Sequence, residues 1–284
     1  MKILLTGASG FLGSYFINKY SSKYKIETFS FLNNNFKNLD LNDVDTVIHL
    51  SALVHQIDGA TKKEYEKVNV TQSIKLAKKA KKNGVKHFIF MSTIKVYGEE
   101  TDRAYLENSE CNPQDEYGRS KLKAEIELQK FEDNNFVISI IRTPIVYGYG
   151  VKANIKNLIS LVNKVPILPF ANIQNRRNMV YIGNLCHLID TIIEKEKNGV
   201  FLASDDKAVS TTDLIKLISK ELDKKVYLVK VPFFEILLKI VRLDLHKKLY
   251  KSLEIDNSYT NKILGLKNLY SAEDGIKLMI NGTR

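Results

Sequence analysis

Short, uninterrupted apolar runs alternate with helical repeats along the first half of the chain. Residues 2–5 form a compact apolar run, and residues 11–20 repeat at helical spacing. A second run covers 26–31 and a third, VDTVIHL, covers 44–50. A long amphipathic repeat spans 64–83 and stops at Gly84, a residue suited to a left-handed helix end. Residues 86–91 and 136–141 are two more strand-like runs, with a helical stretch over 117–134 between them. Strands that are apolar on both faces must be covered on both faces. Alternating with helices, they predict an α/β fold, a Rossmann-like doubly wound parallel sheet with right-handed crossovers.

The pattern changes after about residue 148. Helical stretches at 155–163 and 212–222 are separated by short runs at 199–203 and 225–229. This predicts a first domain over 1–150 and, over 151–284, a smaller mixed lobe with part of it returning to the sheet. No linker rich in Pro, Gly or Ser separates the halves, so they should pack closely. Residues 231–245 (VPFFEILLKIVRLDL) are strongly apolar with charges interspersed. The favoured reading is a helix packed on the second lobe; the other is a segment lying on a membrane surface.

Composition narrows the classes. The 44% apolar and 26% charged residues are ordinary for a globular chain. No apolar run reaches the ~18 residues a membrane span needs, and the N-terminal run reads as a buried strand rather than a signal peptide. Cys111 and Cys186 form neither a CxxC pair nor a disulfide framework, which fits a cytoplasmic setting. The net charge of +11 raises the question of nucleic acid. Its excess is mainly lysine spread over helices, with only seven arginines, so no nucleic-acid partner is expected.

Between the first strand and the first helix lies TGASGFLG, with Gly7, Gly10 and Gly13 in a GxxGxxG spacing and Phe11 and Leu12 opening the helix. Glycine there permits a tight turn and a close approach of a pyrophosphate to backbone N–H groups at a helix N-terminus. A dinucleotide is therefore the expected ligand. The acidic residue that would bind the ribose 2′-hydroxyl at the end of the second strand is missing, and Ser30 stands near that place. Without that carboxylate a 2′-phosphate is not repelled, so the cofactor is NAD(P)(H) with NADPH slightly favoured. The short interval from Ser30 to Val44 leaves room for a reduced crossover helix or none.

Tyr117 and Lys121 (YGRSK) share one helical face. A lysine ammonium beside a phenol favours the phenolate and so lowers a pKa that is otherwise near 10, which suits acid–base work. About 25 residues earlier, Ser92 and Thr93 end an apolar strand, where a hydroxyl can meet a reacting oxygen. Thr93 is the first candidate and Ser92 the second. His49 sits in a buried-strand pattern and reads as a core histidine; His55 reads as a loop residue. No cluster has metal-ligand spacing, so no metal is expected.

Together, TGASGFLG, DLND, VIHLSA, VNVTQS, STIKVYG, YGRSK, RTPIVYGYG and RRNMVYIGNL, in this order over residues 1 to about 185, resemble the extended short-chain dehydrogenase/reductases of the NAD-dependent epimerase/dehydratase family. The resemblance implies that Gly7, Gly10 and Gly13 cradle phosphate and that Asp40 and Leu41 meet the adenine. It also implies that Leu50, Ser51 and Ala52 line the cofactor, and that Thr93, Tyr117 and Lys121 form the catalytic trio, Tyr117 and Lys121 also touching the cofactor. Arg177 matches an arginine that grips a substrate diphosphate, a task suited to a bidentate guanidinium, and Asn154 a further phosphate contact. A nucleotide-sugar substrate and a homodimer built on the two long helices follow from the same resemblance. Ile94-Lys95 replaces the Asp-Glu that dehydratases of the family carry, and Arg142-Thr143-Pro144-Ile145 replaces the RYFN frequent in hexose 4-epimerases. The implied activity is therefore first the reduction of a UDP-4-keto-6-deoxy-(N-acetyl)hexosamine in bacterial surface polysaccharide synthesis. The alternative is a UDP-hexose or UDP-N-acetylhexosamine 4-epimerase, and a remote third is a cofactor-binding regulator without catalysis.

Overall fold

The structure is a computed structural model and describes residues 1–54 and 59–282. Its first unit is β1 (Lys2–Thr6) followed by α1 (Phe11–Tyr20). Ile3, Leu4 and Leu5 are all buried, as a strand covered on both faces requires. β2 (Lys25–Phe29) stops two residues short of the expected end. There the N–H groups of Asn33 and Asn34 donate to the Ser30 carbonyl, and Ser30 Oγ accepts from Leu32 N–H, closing a turn. The interval to β3 (Thr46–His49) holds a single 3₁₀ turn, Phe36–Asn38, in place of a crossover helix. The rings of Phe29, Phe31 and Phe36 pack together there.

α2 (Lys62–Tyr65) begins at a capping box in which Thr61 and Glu64 satisfy each other's backbone N–H groups. It continues through a π-helical turn, Glu66–Thr71, into α3 (Gln72–Lys82), and Gly84 takes the left-handed φ of +78° beyond it. β4 (His87–Thr93) follows, then α4 (Glu116–Gln129), capped by the Asp115 carboxylate on Gly118 N–H at 2.7 Å. α4 ends before the expected residue 134 because Asp133 and Phe136 exchange backbone hydrogen bonds in a tight turn into β5 (Val137–Thr143).

The second half supplies β6 (Ile145–Tyr147), α5 (Ala153–Lys164), β7 (Ile167–Leu168), β8 (Met179–Tyr181), α6 (Ile182–Lys195) and β9 (Gly199–Leu202). Then come α7 (Thr211–Glu221), β10 (Tyr227–Leu228), α8 (Phe234–Val241), α9 (Leu243–Tyr250), α10 (Ser258–Leu264) and α11 (Ala272–Asn281). Two parallel two-stranded pairs, β7 with β10 and β6 with β8, stand apart from the main sheet. The apolar segment at 231–245 departs from the expected single packed helix. It breaks at Arg242 into α8 and α9, and no residue of α8 is buried.

Among the described residues the main sheet has the parallel order β2-β1-β3-β4-β5-β9. One apolar layer packs α1, α6 and the second half against one face, through residues such as Phe16, Ile189 and Phe201. The other layer packs α3 and α4 through Leu76, Ala80, Ala124 and Leu128. β1 lies between β2 and β3, where the strand order reverses. In such sheets a crevice opens at the carboxyl ends of the strands beside that reversal.

Candidate active site

A cavity of about 760 Å³ occupies that crevice. Its wall is built from the ends of β1, β3, β4 and β5 and closed by residues of the second half, so distant parts of the sequence converge on it.

The glycine loop forms one wall together with Phe11 and Leu12. Gly7 has φ +77°, and a Cβ on it would lie 2.8 Å from Ser51 N and 2.9 Å from Leu50 C. A Cβ on Gly13 would lie 2.3 Å from the Gly7 carbonyl oxygen. These two glycines are thus fixed by the contact of loop with strand and helix, whereas Gly10 serves as the N-cap of α1. No side chain caps that N-terminus, so its first-turn N–H groups and positive dipole end suit a pyrophosphate. Gly13→Ala should therefore displace the loop, lower dinucleotide affinity by about tenfold or more and destabilise the fold by about 1–3 kcal/mol, the usual cost of overpacking. Titration with NAD and a thermal melt check it; unchanged affinity would remove the loop from cofactor binding.

Leu50, Ser51 and Ala52 continue the wall from β3, with Ser51 N–H donating to Thr6 Oγ1 at 3.3 Å. His49 lies beneath them, fully buried, its ring nitrogens 2.7 Å from Thr6 Oγ1 and 2.9 Å from Ser73 Oγ. Burial pushes its pKa down to about 3, helped by the charge of Lys121. It is a neutral core histidine, as expected. Ser30, Asp40 and Leu41 do not line the cavity. Ser30 stands in the turn after β2, Asp40 is exposed with its carboxylate accepting from Asn42 N–H, and Leu41 is buried in the apolar core. His55 lies outside the described residues.

Thr93, Tyr117 and Lys121 meet in the cavity wall. Thr93 ends β4 opposite Thr143 of β5, and its Oγ1 accepts from Lys95 N–H at 3.3 Å. Tyr117 and Lys121 stand one turn apart on α4. Lys121 is 2% exposed; its Nζ donates to the Met91 carbonyl at 2.7 Å and sits 4.4 Å from the centre of the Phe90 ring. Burial pushes the Lys121 pKa down to about 7, against the opposing charge of Glu125. The Tyr117 phenol is shifted upward, chiefly by burial and then by Asp115 and Tyr65. This corrects the simple expectation of an ammonium that lowers a phenol. In this site desolvation dominates both groups, and the lysine is engaged by a backbone carbonyl.

Three features were not legible in advance. The fully buried Asn69, in the π turn, donates from Nδ2 to the Leu53 carbonyl (3.0 Å) and to Ser120 Oγ (2.9 Å), and accepts Leu53 N–H at 2.8 Å. Ser120 Oγ donates in turn to the Tyr117 carbonyl at 2.8 Å. Asn69 thereby ties the backbone at Leu53, between the cavity-lining Ala52 and Val54, to the helix that carries Tyr117. The only sequence signal was its place within VNVTQS. Beneath the trio, Arg142 and Glu125 form a buried pair with Nη2 to Oε2 at 2.6 Å, joined by Ser92 Oγ and by Tyr97 OH, which accepts from Arg142 Nη1 at 2.6 Å. Ser92, the second candidate, also lines the cavity, but its hydroxyl is engaged by Glu125 of this buried pair. At the mouth, Lys95, which takes the place of a dehydratase acid, pairs with Asp115 and lies 3.7 Å from Glu99.

Arg177 and Asn154 both line the cavity. Arg177 Nη1 donates to the carbonyls of Lys251 (2.9 Å) and Lys247 (3.4 Å), closing the end of α9. Burial lowers its pKa. Asp244, Lys247 and Lys248 add an edge that sequence reading did not single out. Among the described residues no group of three or more His, Cys, Asp or Glu is placed to hold a metal ion, and no helix is long and apolar enough to cross a membrane.

Residues 3–203 match the NAD dependent epimerase/dehydratase family model. A UDP-glucose 4-epimerase of Vibrio cholerae is 36% identical across 97% of this chain and 93% of its own length. An N-acetyl-alpha-D-glucosaminyl-diphospho-ditrans,octacis-undecaprenol 4-epimerase of Escherichia coli O157:H7 is 26% identical over 81% of this chain and 75% of its own. Among solved structures, UDP-glucuronic acid 4-epimerase from Bacillus cereus in complex with NAD superposes with a TM-score of 0.80 at 22% identity, covering 99% of this chain and 98% of that one.

Proposed function

The chain belongs to the NAD-dependent epimerase/dehydratase family, and from that membership we propose that it inverts C4 of a UDP-linked hexose or N-acetylhexosamine. The observation that carries this reading is the likeness, at 36% identity over nearly the full length of both chains, to a UDP-glucose 4-epimerase. It moves the weight from reduction, the first expectation, to epimerisation. The glycine loop at an uncapped helix N-terminus fits a dinucleotide pyrophosphate, and the family points to NAD.

When bound, that cofactor supplies reversible hydride chemistry at the sugar C4. For the epimerase, Tyr117 acts from its phenolate form, which a protonated Lys121 beside it favours, receiving the O4 proton as the alcohol is oxidised and returning it as the keto group is reduced. Thr93 Oγ hydrogen-bonds the same oxygen. Lys121 steadies the charge that forms on Tyr117. Arg177, with a guanidinium nitrogen to spare beyond its carbonyl contacts, pairs with the diphosphate. Ile94 is buried and Lys95 is paired with Asp115; neither offers the acid and base that 4,6-dehydration needs. The test is incubation with UDP-glucose, and separately with UDP-N-acetylglucosamine, without added cofactor, followed by NMR of the sugar H4. Conversion to the 4-epimer is expected. No epimer from either sugar, with NADPH oxidised only when a 4-keto sugar is present, would replace epimerisation by reduction.

Two observations favour that second reading, a 4-ketoreductase. The Tyr117 phenol, shifted upward by burial, keeps its proton at neutral pH, the state that protonates O4 as hydride arrives. The turn after β2 offers Ser30 and no carboxylate, so NADPH meets no repulsion there. Ser30→Asp should shift preference toward NADH by about tenfold, about 1.4 kcal/mol of charge repulsion against the 2′-phosphate. Competitive binding of the two reduced cofactors to wild type and variant checks it; an unchanged ratio would move the ribose contact to another residue.

A further inference from the structure

The segment from Lys224 to Lys251 concentrates two kinds of exposed side chain that rarely share a surface without use. Phe233 is 80% exposed and Ile240 77%, and Ile236, Leu237, Val241 and Leu243 stand open beside them. Soluble monomers seldom expose contiguous apolar patches beyond a few hundred Å². Over the same stretch the chain carries eight Lys or Arg against two Asp or Glu. Lys230, Lys239 and Arg242 are exposed among the apolar residues. Among the described residues α8 turns half-buried Phe234, whose ring lies 6.1 Å from Phe170, and half-buried Leu238 inward, and Glu235 Oε1 lies 3.2 Å from Nε2 of buried His246 on α9. Its N-cap, Phe233, takes a left-handed φ of +60°, a costly conformation for a bulky residue, and it does so while leaving its ring in solvent.

We propose that the α8–α9 ridge docks the protein on an anionic phospholipid surface. A short helix with an outward apolar face and a basic border lies in the headgroup layer, its apolar side chains inserted and its lysines on the lipid phosphates. Charge decides against a second copy as the occupant. A face-to-face dimer would bring the same basic border onto itself, whereas an anionic bilayer complements both the apolar and the charged parts of the ridge. α9 also supplies Asp244, Lys247 and Lys248 to the cavity wall, so docking sets the mouth of the cavity beside the membrane.

The experiment is vesicle flotation of the full chain at low salt. It compares phosphatidylcholine vesicles with vesicles of equal parts phosphatidylcholine and phosphatidylglycerol. Binding to the anionic vesicles should be about tenfold or more tighter and should fall as salt screens it. Phe233→Ser with Ile240→Ser, and separately Lys239→Glu with Arg242→Glu, should each weaken binding by about tenfold or more. Melting temperature and turnover of soluble nucleotide-sugar should stay at wild-type levels, since none of these four residues lines the cavity. Absence of wild-type binding to anionic vesicles overturns the proposal. So does equal binding by both double variants, or a concentration-dependent dimer that the apolar variants abolish.

Discussion

Tyr117→Phe should lower turnover by about 100-fold or more, the usual low end for loss of an acid–base group, while leaving fold and cofactor binding near wild type. The structure separates these effects. The Tyr117 ring packs near Tyr65, with centroids 6.3 Å apart, and phenylalanine keeps that contact. Helix position is secured through the Tyr117 backbone carbonyl, which accepts from Ser120 Oγ, and through Asn69 behind it. Neither bond uses the phenol. The lost hydroxyl is neutral at neutral pH, because burial raises its pKa, so the substitution removes no buried charge. Single-turnover kinetics together with NAD titration check the prediction. Near-normal turnover would take Tyr117 out of the proton transfer.

Much of this site could be read from the chain because its parts are local. The glycine loop, the strand ends and the Tyr/Lys pair each depend on spacing within a few residues. The alternation of apolar runs with helical repeats carried the succession of strands and helices along the chain as far as β5, because β1, β3, β4 and β5 are buried nearly throughout. Reading failed where one contact decided the outcome. The end of β2 moved because the Ser30 carbonyl takes two Asn N–H groups. α6, with eleven buried residues, lay outside the elements anticipated because an almost wholly buried helix lacks the polar stripe that marks a surface helix. The Arg142–Glu125 pair joins residues of β5 and α4 that no spacing rule connects. The sign of the Tyr117 shift was missed because helical spacing gives proximity to Lys121 and says nothing about solvent. The break of 231–245 at Arg242 was hidden by a hydrophobicity that suited either a packed helix or an exposed one.

Lys121→Met should abolish most activity and yet raise stability in acid. The activity loss, again about 100-fold or more, follows from removing the amine that, in its protonated form, steadies charge on Tyr117. The stability gain follows from linkage. The Lys121 pKa falls from its ordinary 10.5 to about 7 in the folded protein, with burial as the main cause. Below pH 7 the amine is protonated in both states, and the folded state carries the full cost of a desolvated charge. Between pH 7 and about 10.5 the folded protein has released the proton and the unfolded chain still holds it. The unfolded state then binds more protons, so stability rises with pH across that window. Above it the cost is gone. Methionine has nearly the same length and no charge, but it leaves the Met91 carbonyl without its donor, a loss of about 1 kcal/mol. The net gain at pH 6 should be on the order of 2 kcal/mol, after discounting the full shift for relaxation and water entry. In a protein of this size that is a rise in Tm of about 3 °C. Melts of wild type and variant from pH 6 to pH 10 test the sign. The variant should melt higher at pH 6, and the two curves should converge as pH rises. A variant that is less stable than wild type at pH 6, with the gap constant in pH, would mean that Lys121 holds its charge in the fold at no cost, through a partner other than the Met91 carbonyl.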